Sequence, residues 1–181
     1  MRRVLFALLL AAVAVPLQAE PPQPKIQTLS AVADRGKVTV RFALDGMFQN
    51  GEIVEALQSG LPTTITYYVE IFRDRPNWFD KTAGRSRLEV VCTFNSVTRE
   101  YLVNYRRDRK LVRSETFTDA ASLQQRMTRI DEPGLFEIGS RKPYKLKVRV
   151  KADLMRGWLM YVIPWEVSTR WKETRVKTLQ P

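Results

Sequence analysis

The chain has 181 residues, with 30 Lys and Arg against 19 Asp and Glu for a net charge of +11, one cysteine and no histidine. Without histidine there is no Ser-His-Asp triad, no Cys-His pair, no imidazole metal ligand and no histidine pH switch. A single cysteine excludes an intrachain disulfide and a Cys-rich zinc site, while 44% hydrophobic and 10% aromatic residues describe an ordinary globular core rather than a disordered chain.

Met1-Arg2-Arg3, the apolar run Val4–Val15, and Pro16-Leu17-Gln18-Ala19 before Glu20 have the layout of a secretory signal peptide over residues 1–19. The apolar run is shorter than the roughly 20 residues that a membrane span takes. No cysteine follows it, which argues against a lipoprotein anchor. The expected location is the periplasm, with no transmembrane helix after cleavage. Residues 20–25, with Pro21, Pro22 and Pro24, form an extended lead-in to a single domain over 26–176, and 177–181 form a tail.

Ile26–Ala33 and Lys37–Asp45 flank Asp34-Arg35-Gly36, a hairpin signal. Val38, Val40, Phe42 and Leu44 alternate with polar neighbours, the period of a half-buried strand. Asn50 is a candidate N-cap for a helix over Gly51–Ser59, stopped by Gly60. Further strands are predicted at Thr63–Asp74, Arg85–Asn95, Glu100–Arg106 and Lys110–Phe117, the last two joined tightly through Arg107-Asp108-Arg109. Thr118 or Asp119 caps a second helix, with Ala120, Leu123, Met127 and Ile130 at helical spacing. Tyr144–Leu154 and Trp165–Lys172 complete eight candidate strands. Short strands without βαβ alternation predict an all-β fold: an antiparallel two-sheet sandwich of about eight strands and two short helices, compatible with an immunoglobulin-like arrangement. The alternation alone does not separate a sandwich from a barrel.

Five features bear on function. Lys145, Lys147, Arg149 and Lys151 occupy one face of a strand, and Arg106, Arg107 and Arg109, with Lys110 and Arg113, crowd one hairpin. Both read as tentative sites for an anionic partner, or equally as solvated faces. Export argues for an envelope protein or an anionic envelope component and against nucleic acid. The uncharged run Trp158–Trp165, with Trp158, Leu159, Ile163 and Trp165 as anchors, suits an apolar partner or a cover over the sandwich end. Cys92 shares a face with Leu88, Val90 and Phe94, as a small buried hydrophobe does. Glu70 and Asp80 are the carboxylates for a hydrolase, the least supported reading, since no nucleophile or partner base converges on them. The chain therefore reads as a non-enzymatic binding protein without cofactor or metal. The alternative is an interaction module of a signalling or assembly complex acting through Trp158–Trp165.

The run Leu44-Asp45-Gly46, Glu55-Ala56-Leu57, Gly60-Leu61-Pro62, Tyr68-Val69-Glu70-Ile71-Phe72-Arg73 and Trp78-Phe79-Asp80-Lys81 resembles an uncharacterised family of short exported proteins. That family is described only as a domain of unknown function in Gram-negative bacteria. Tyr101-Leu102-Val103 and Trp165-Glu166-Val167-Ser168 with Trp171 are similar to its pattern, whereas Gly157–Pro164 is more apolar than the pattern. The resemblance implies an envelope location and an all-β fold, and its frequent neighbourhood of two-component sensor kinases implies a link to signalling. It carries no catalytic residue across.

Overall fold

A computed structural model describes residues 23–49, 51–74, 81–139, 145–155 and 166–178. Most of them lie in strands, and the strands form two sheets rather than one closed barrel. The first sheet contains β1 (Lys25–Asp34), β2 (Lys37–Asp45), β7 (Arg129–Glu137) and β11 (Lys177–Thr178), in the order β11-β1-β2-β7. The second contains β3 (Thr63–Arg73), β4 (Lys81–Asn95), β5 (Glu100–Arg107), β6 (Lys110–Phe117), β8 (Leu146–Met155), β9 (Glu166–Ser168) and β10 (Lys172–Arg175). Its order is β10-β8-β3-β4-β5-β6, with β9 also on β8. All pairs are antiparallel except β1 with β11.

The pairing order is that of an immunoglobulin-like Greek key. In that lettering β1, β2 and β7 take the places of A, B and E, β3 and β8 those of C and F, and β9 with β10 that of G. β4 and β5 extend the second sheet beyond C as in a variable domain, and β6 extends it once more.

Alternation builds the core. Val38, Val40, Phe42 and Leu44 from β2 meet Ile65, Tyr67, Val69 and Ile71 from β3, all buried, and the Phe42 and Tyr67 rings touch edge to face at 5.0 Å. In β1 a register shift between Ile26 and Thr28 lets Ile26 and then Ala31 and Ala33 point inward on both sides of the irregularity. The β1–β2 turn places Arg35 at φ 46° and Gly36 at φ 79°, as a tight hairpin of the predicted kind requires.

Two elements differ from the sequence expectation. Ile130 is the second residue of β7, not the last of the helical row. Pro133 and Gly134 disguise that strand, but both lie in a bulge between the β2 partners Val38 and Val40, where a missing N–H costs no ladder bond. The terminal run is also divided: the Thr169 N–H donates to the Ala152 carbonyl at 2.8 Å, and the Ala152 N–H donates to Thr169 Oγ1 at 2.9 Å. After β10 the chain leaves the second sheet, and Lys177 and Thr178 pair in parallel with Val32 and Ala33 of the first.

The helices are α1 (Gly51–Gln58) and α2 (Ala120–Thr128). Residue 50 lies outside the described residues, while Gly60 at φ 79° ends α1 as expected. Asp119 caps α2 by accepting from the Ser122 N–H at 2.8 Å, which holds its carboxyl below the usual range. At the other end, the Tyr67 hydroxyl donates to the Met127 carbonyl at 2.9 Å and the Tyr105 hydroxyl to the Arg126 carbonyl at 3.2 Å. Helix ends leave such carbonyls unpaired, so two core tyrosines of the second sheet anchor the helix that crosses to the first. Tyr67→Phe is expected to cost about 1–3 kcal/mol, because the buried carbonyl loses its donor. Denaturant unfolding of Tyr67→Phe with an unchanged midpoint would contradict this anchoring role.

Candidate anion-binding surfaces

On β8, Val148, Val150 and Ala152 face the core and Lys147, Arg149 and Lys151 face outward, as the alternation predicts. The register then places carboxylates beside each cation. Lys147 Nζ lies 3.1 Å from Asp74 Oδ2, Arg149 Nη2 lies 2.6 Å from Glu70 Oε2, and Lys151 Nζ lies 2.8 Å from Asp153 Oδ1. Glu70 also receives Arg85 at 3.0 Å from β4, because it stands opposite Arg85 on one side and Arg149 on the other. The Arg149 guanidinium sits 5.4 Å from the Phe72 ring and 4.7 Å from the Trp171 ring. The outer face of β8 is thus a compensated network of ions and aromatics, with Glu70 held between two arginines.

The β5–β6 hairpin is tied down by its own aspartate. Asp108 and Arg109 take φ 48° and 70°, and the Asp108 carboxylate accepts from the Arg87 N–H at 2.8 Å and the Ser86 hydroxyl at 3.2 Å. Arg107 points into the sandwich and pairs with Glu132 of β7, joining the two sheets on the side opposite the terminal strand. Arg113 lies over the Tyr105 ring at 3.9 Å and faces Glu115 at 3.4 Å. Among the described residues, Arg106, Arg109 and Lys110 make no ion pair.

A larger asymmetry emerges when strand ends are followed through the pairing. One pole of the sandwich gathers the β1–β2 turn, the end of β3, the start of β4, the end of β7, the start of β8 and the crossing from β10 to β11. Among the described side chains it carries eight cations, Arg35, Lys37, Arg73, Lys81, Lys145, Lys147, Arg175 and Lys177, against three carboxylates, Asp34, Asp74 and Glu137. The opposite pole, with both helices, carries Lys25, Arg99, Arg126 and Arg129 against Asp45, Glu55, Glu100 and Asp119, an even balance. Sequence reasoning picked out only Lys145 and Lys147 of this pole, because the other six cations come one or two at a time from distant segments, and only the pairing assembles them.

Trp158, Leu159, Ile163, Trp165 and Asp80 lie outside the described residues. Among the described residues no three His, Cys, Asp or Glu side chains converge as metal ligands, and no helix is long and apolar enough to cross a membrane.

Cys92 is fully buried on the inner face of β4, and burial pushes its thiol up from 9.0 to about 12. The folded state therefore keeps the thiol protonated where the unfolded chain ionises it. Its contribution to stability is complete below pH 9 and is lost as the pH rises towards about 12. Burial raises Tyr67 and Tyr105 in the same direction. Stability of the wild type is expected to fall over this alkaline window more steeply than that of Cys92→Ala, by up to about 1.4 kcal/mol per pH unit. Parallel slopes in unfolding titrations would contradict the burial.

No curated protein and no solved structure matches the chain. Residues 22–175, from the lead-in through β10, match the family described as Domain of unknown function (DUF4390). The match covers both helices and every strand except β11, and the chain belongs to that family.

Proposed function

We propose that the chain is a non-enzymatic binding protein of the cell envelope, exported to the periplasm, that holds an anionic or acidic partner against its basic pole. The observation that carries this reading is the excess of eight cations over three carboxylates at one pole beside an even balance at the other. Two sheets packed about 10 Å apart bring those side chains within a Debye length of one another, so their potentials add at a common surface. Lys147, Arg149 and Lys151 lie against sheet carboxylates and contribute less to that surface. Arg106, Arg109 and Lys110 extend the positive potential along the side of the second sheet. The cationic start, apolar run and Ala19 support export. Engagement of Glu70 by Arg85 and Arg149 supports a structural role for that carboxylate over a catalytic one.

The test uses two probes, vesicles containing phosphatidylglycerol and soluble polyglutamate, each at low and high salt. Binding to at least one is expected, and it weakens steeply as salt rises. Joint reversal of Arg35, Lys37 and Lys177 to Glu is expected to weaken it by about ten-fold or more, while joint reversal of Lys25, Arg99 and Arg129, which changes the net charge equally, costs less than about three-fold. Equal losses from the two triple variants, or binding indifferent to salt, would refute the basic pole.

A further inference from the structure

Among the described residues the second sheet ends on an open edge. β6 pairs with β5 along one side, and its burial is the lowest of the longer strands, with Leu111 at 61% and Val112 at 56% exposure. An open cleft of about 330 Å³, lined by Thr116, Phe117, Asp119, Ser122, Gln125 and Arg126, adjoins the other end of the same strand against α2. Between the apolar knobs and the cleft stand Arg113, Ser114 and Glu115, with the two opposite charges one residue either side of the serine. They lie 3.4 Å apart within the chain, and Glu115 is also 3.4 Å from Arg126, so that a second copy would share these exposed pairs rather than meet free charges.

We propose that β6 pairs with β6 of a second copy of this chain, antiparallel and about a two-fold axis at Ser114. An antiparallel edge contact of this kind is isologous, so each feature must find its complement on the same strand read backwards. This strand meets that condition twice. With Ser114 opposite its own equivalent, Arg113 faces Glu115 of the second copy and Glu115 faces Arg113 of the second copy. Beyond Arg113, β6 carries a bulge at Val112, the residue between the β5 partners Arg113 and Leu111, and Val112 and Leu111 of each copy together come against Thr116 and Phe117 of the other, at the mouth of the cleft. The free backbone N–H and C=O groups of the edge gain partners, and the two exposed aliphatic side chains are covered. A heterologous strand would also satisfy the backbone, but nothing in it would be matched to the mirror order of charge, knob and cleft. The pairing joins two seven-stranded sheets into one and, being antiparallel, points the two basic poles in opposite directions along the strands, away from the contact.

Two measurements on the exported protein test the interface. Sedimentation equilibrium is expected to give twice the chain mass. Under mild oxidation, Ser114→Cys is expected to form a disulfide-linked dimer, since opposed Cβ atoms in an antiparallel pair lie about 4.5–5.5 Å apart. Val97→Cys, 91% exposed on the β4–β5 turn, is expected to stay uncrosslinked. Native Cys92 is buried and does not interfere. Arg113→Glu and Glu115→Arg should each weaken self-association about ten-fold by setting like charges opposite, and combining them should restore it. A monomer under all conditions overturns the proposal, as does a dimer in which Ser114→Cys crosslinks no better than Val97→Cys. If a charge variant fails to fold, the Ser114→Cys comparison still decides.

Discussion

The full-length pairing of β3 with β4 on one side and β8 on the other is the constraint on which the rest of the molecule depends. Its inward row, Ile65, Tyr67, Val69 and Ile71, is the floor of the core. Tyr67 reaches through that core to hold the end of α2, so the strand also fixes where the chain returns to the first sheet and where β7 begins. Its outward row includes Glu70, and the two neighbouring registers together deliver Arg85 and Arg149 to that carboxylate. A slip of one residue would turn Glu70 inward and lose the core and the ion network at once.

The two sheets are joined differently on their two sides. On one, the terminal strand leaves β8 after β10 and pairs with β1, a covalent and backbone-bonded seam. On the other, α2 and the Arg107–Glu132 pair bridge the gap. The pair is only partly buried, with the Arg107 side chain 35% and the Glu132 side chain 18% exposed, so removing one partner costs less than the roughly 3–5 kcal/mol that a fully buried pair would. Arg107, a candidate for binding when the hairpin is read alone, also joins the two sheets through this pair.

Much of the architecture is legible in the sequence, because period-two alternation in β2, β3 and β8 reflects directly which face meets the core. The hairpin turns at Arg35-Gly36 and Asp108-Arg109 and the Asp119 cap are local chemistry and are read locally. β7 is not legible: a bulge absorbs Pro133 and Gly134, and Ile130 happens to continue the spacing of Leu123 and Met127. The functional surfaces are less legible for a stronger reason. Whether Lys147, Arg149 and Lys151 are free or compensated depends on which residues stand on neighbouring strands, and register is a tertiary property. The basic pole is hidden in the same way, since Arg35, Arg73, Lys81 and Arg175 lie in segments that nothing in the linear order connects.

Electrostatics thus divides the surface into a compensated sheet face, a basic pole and a neutral pole, and the functional account rests on the second. The most direct measurement is an NMR titration of the backbone amides with an anionic, water-soluble paramagnetic chelate at low salt. Line broadening concentrated at residues 34–37, 73–74, 81, 145 and 175–177, and removed by added salt, is the result the account predicts. Broadening strongest along the outer face at Arg149 and Lys151, or spread evenly over both poles, would contradict it.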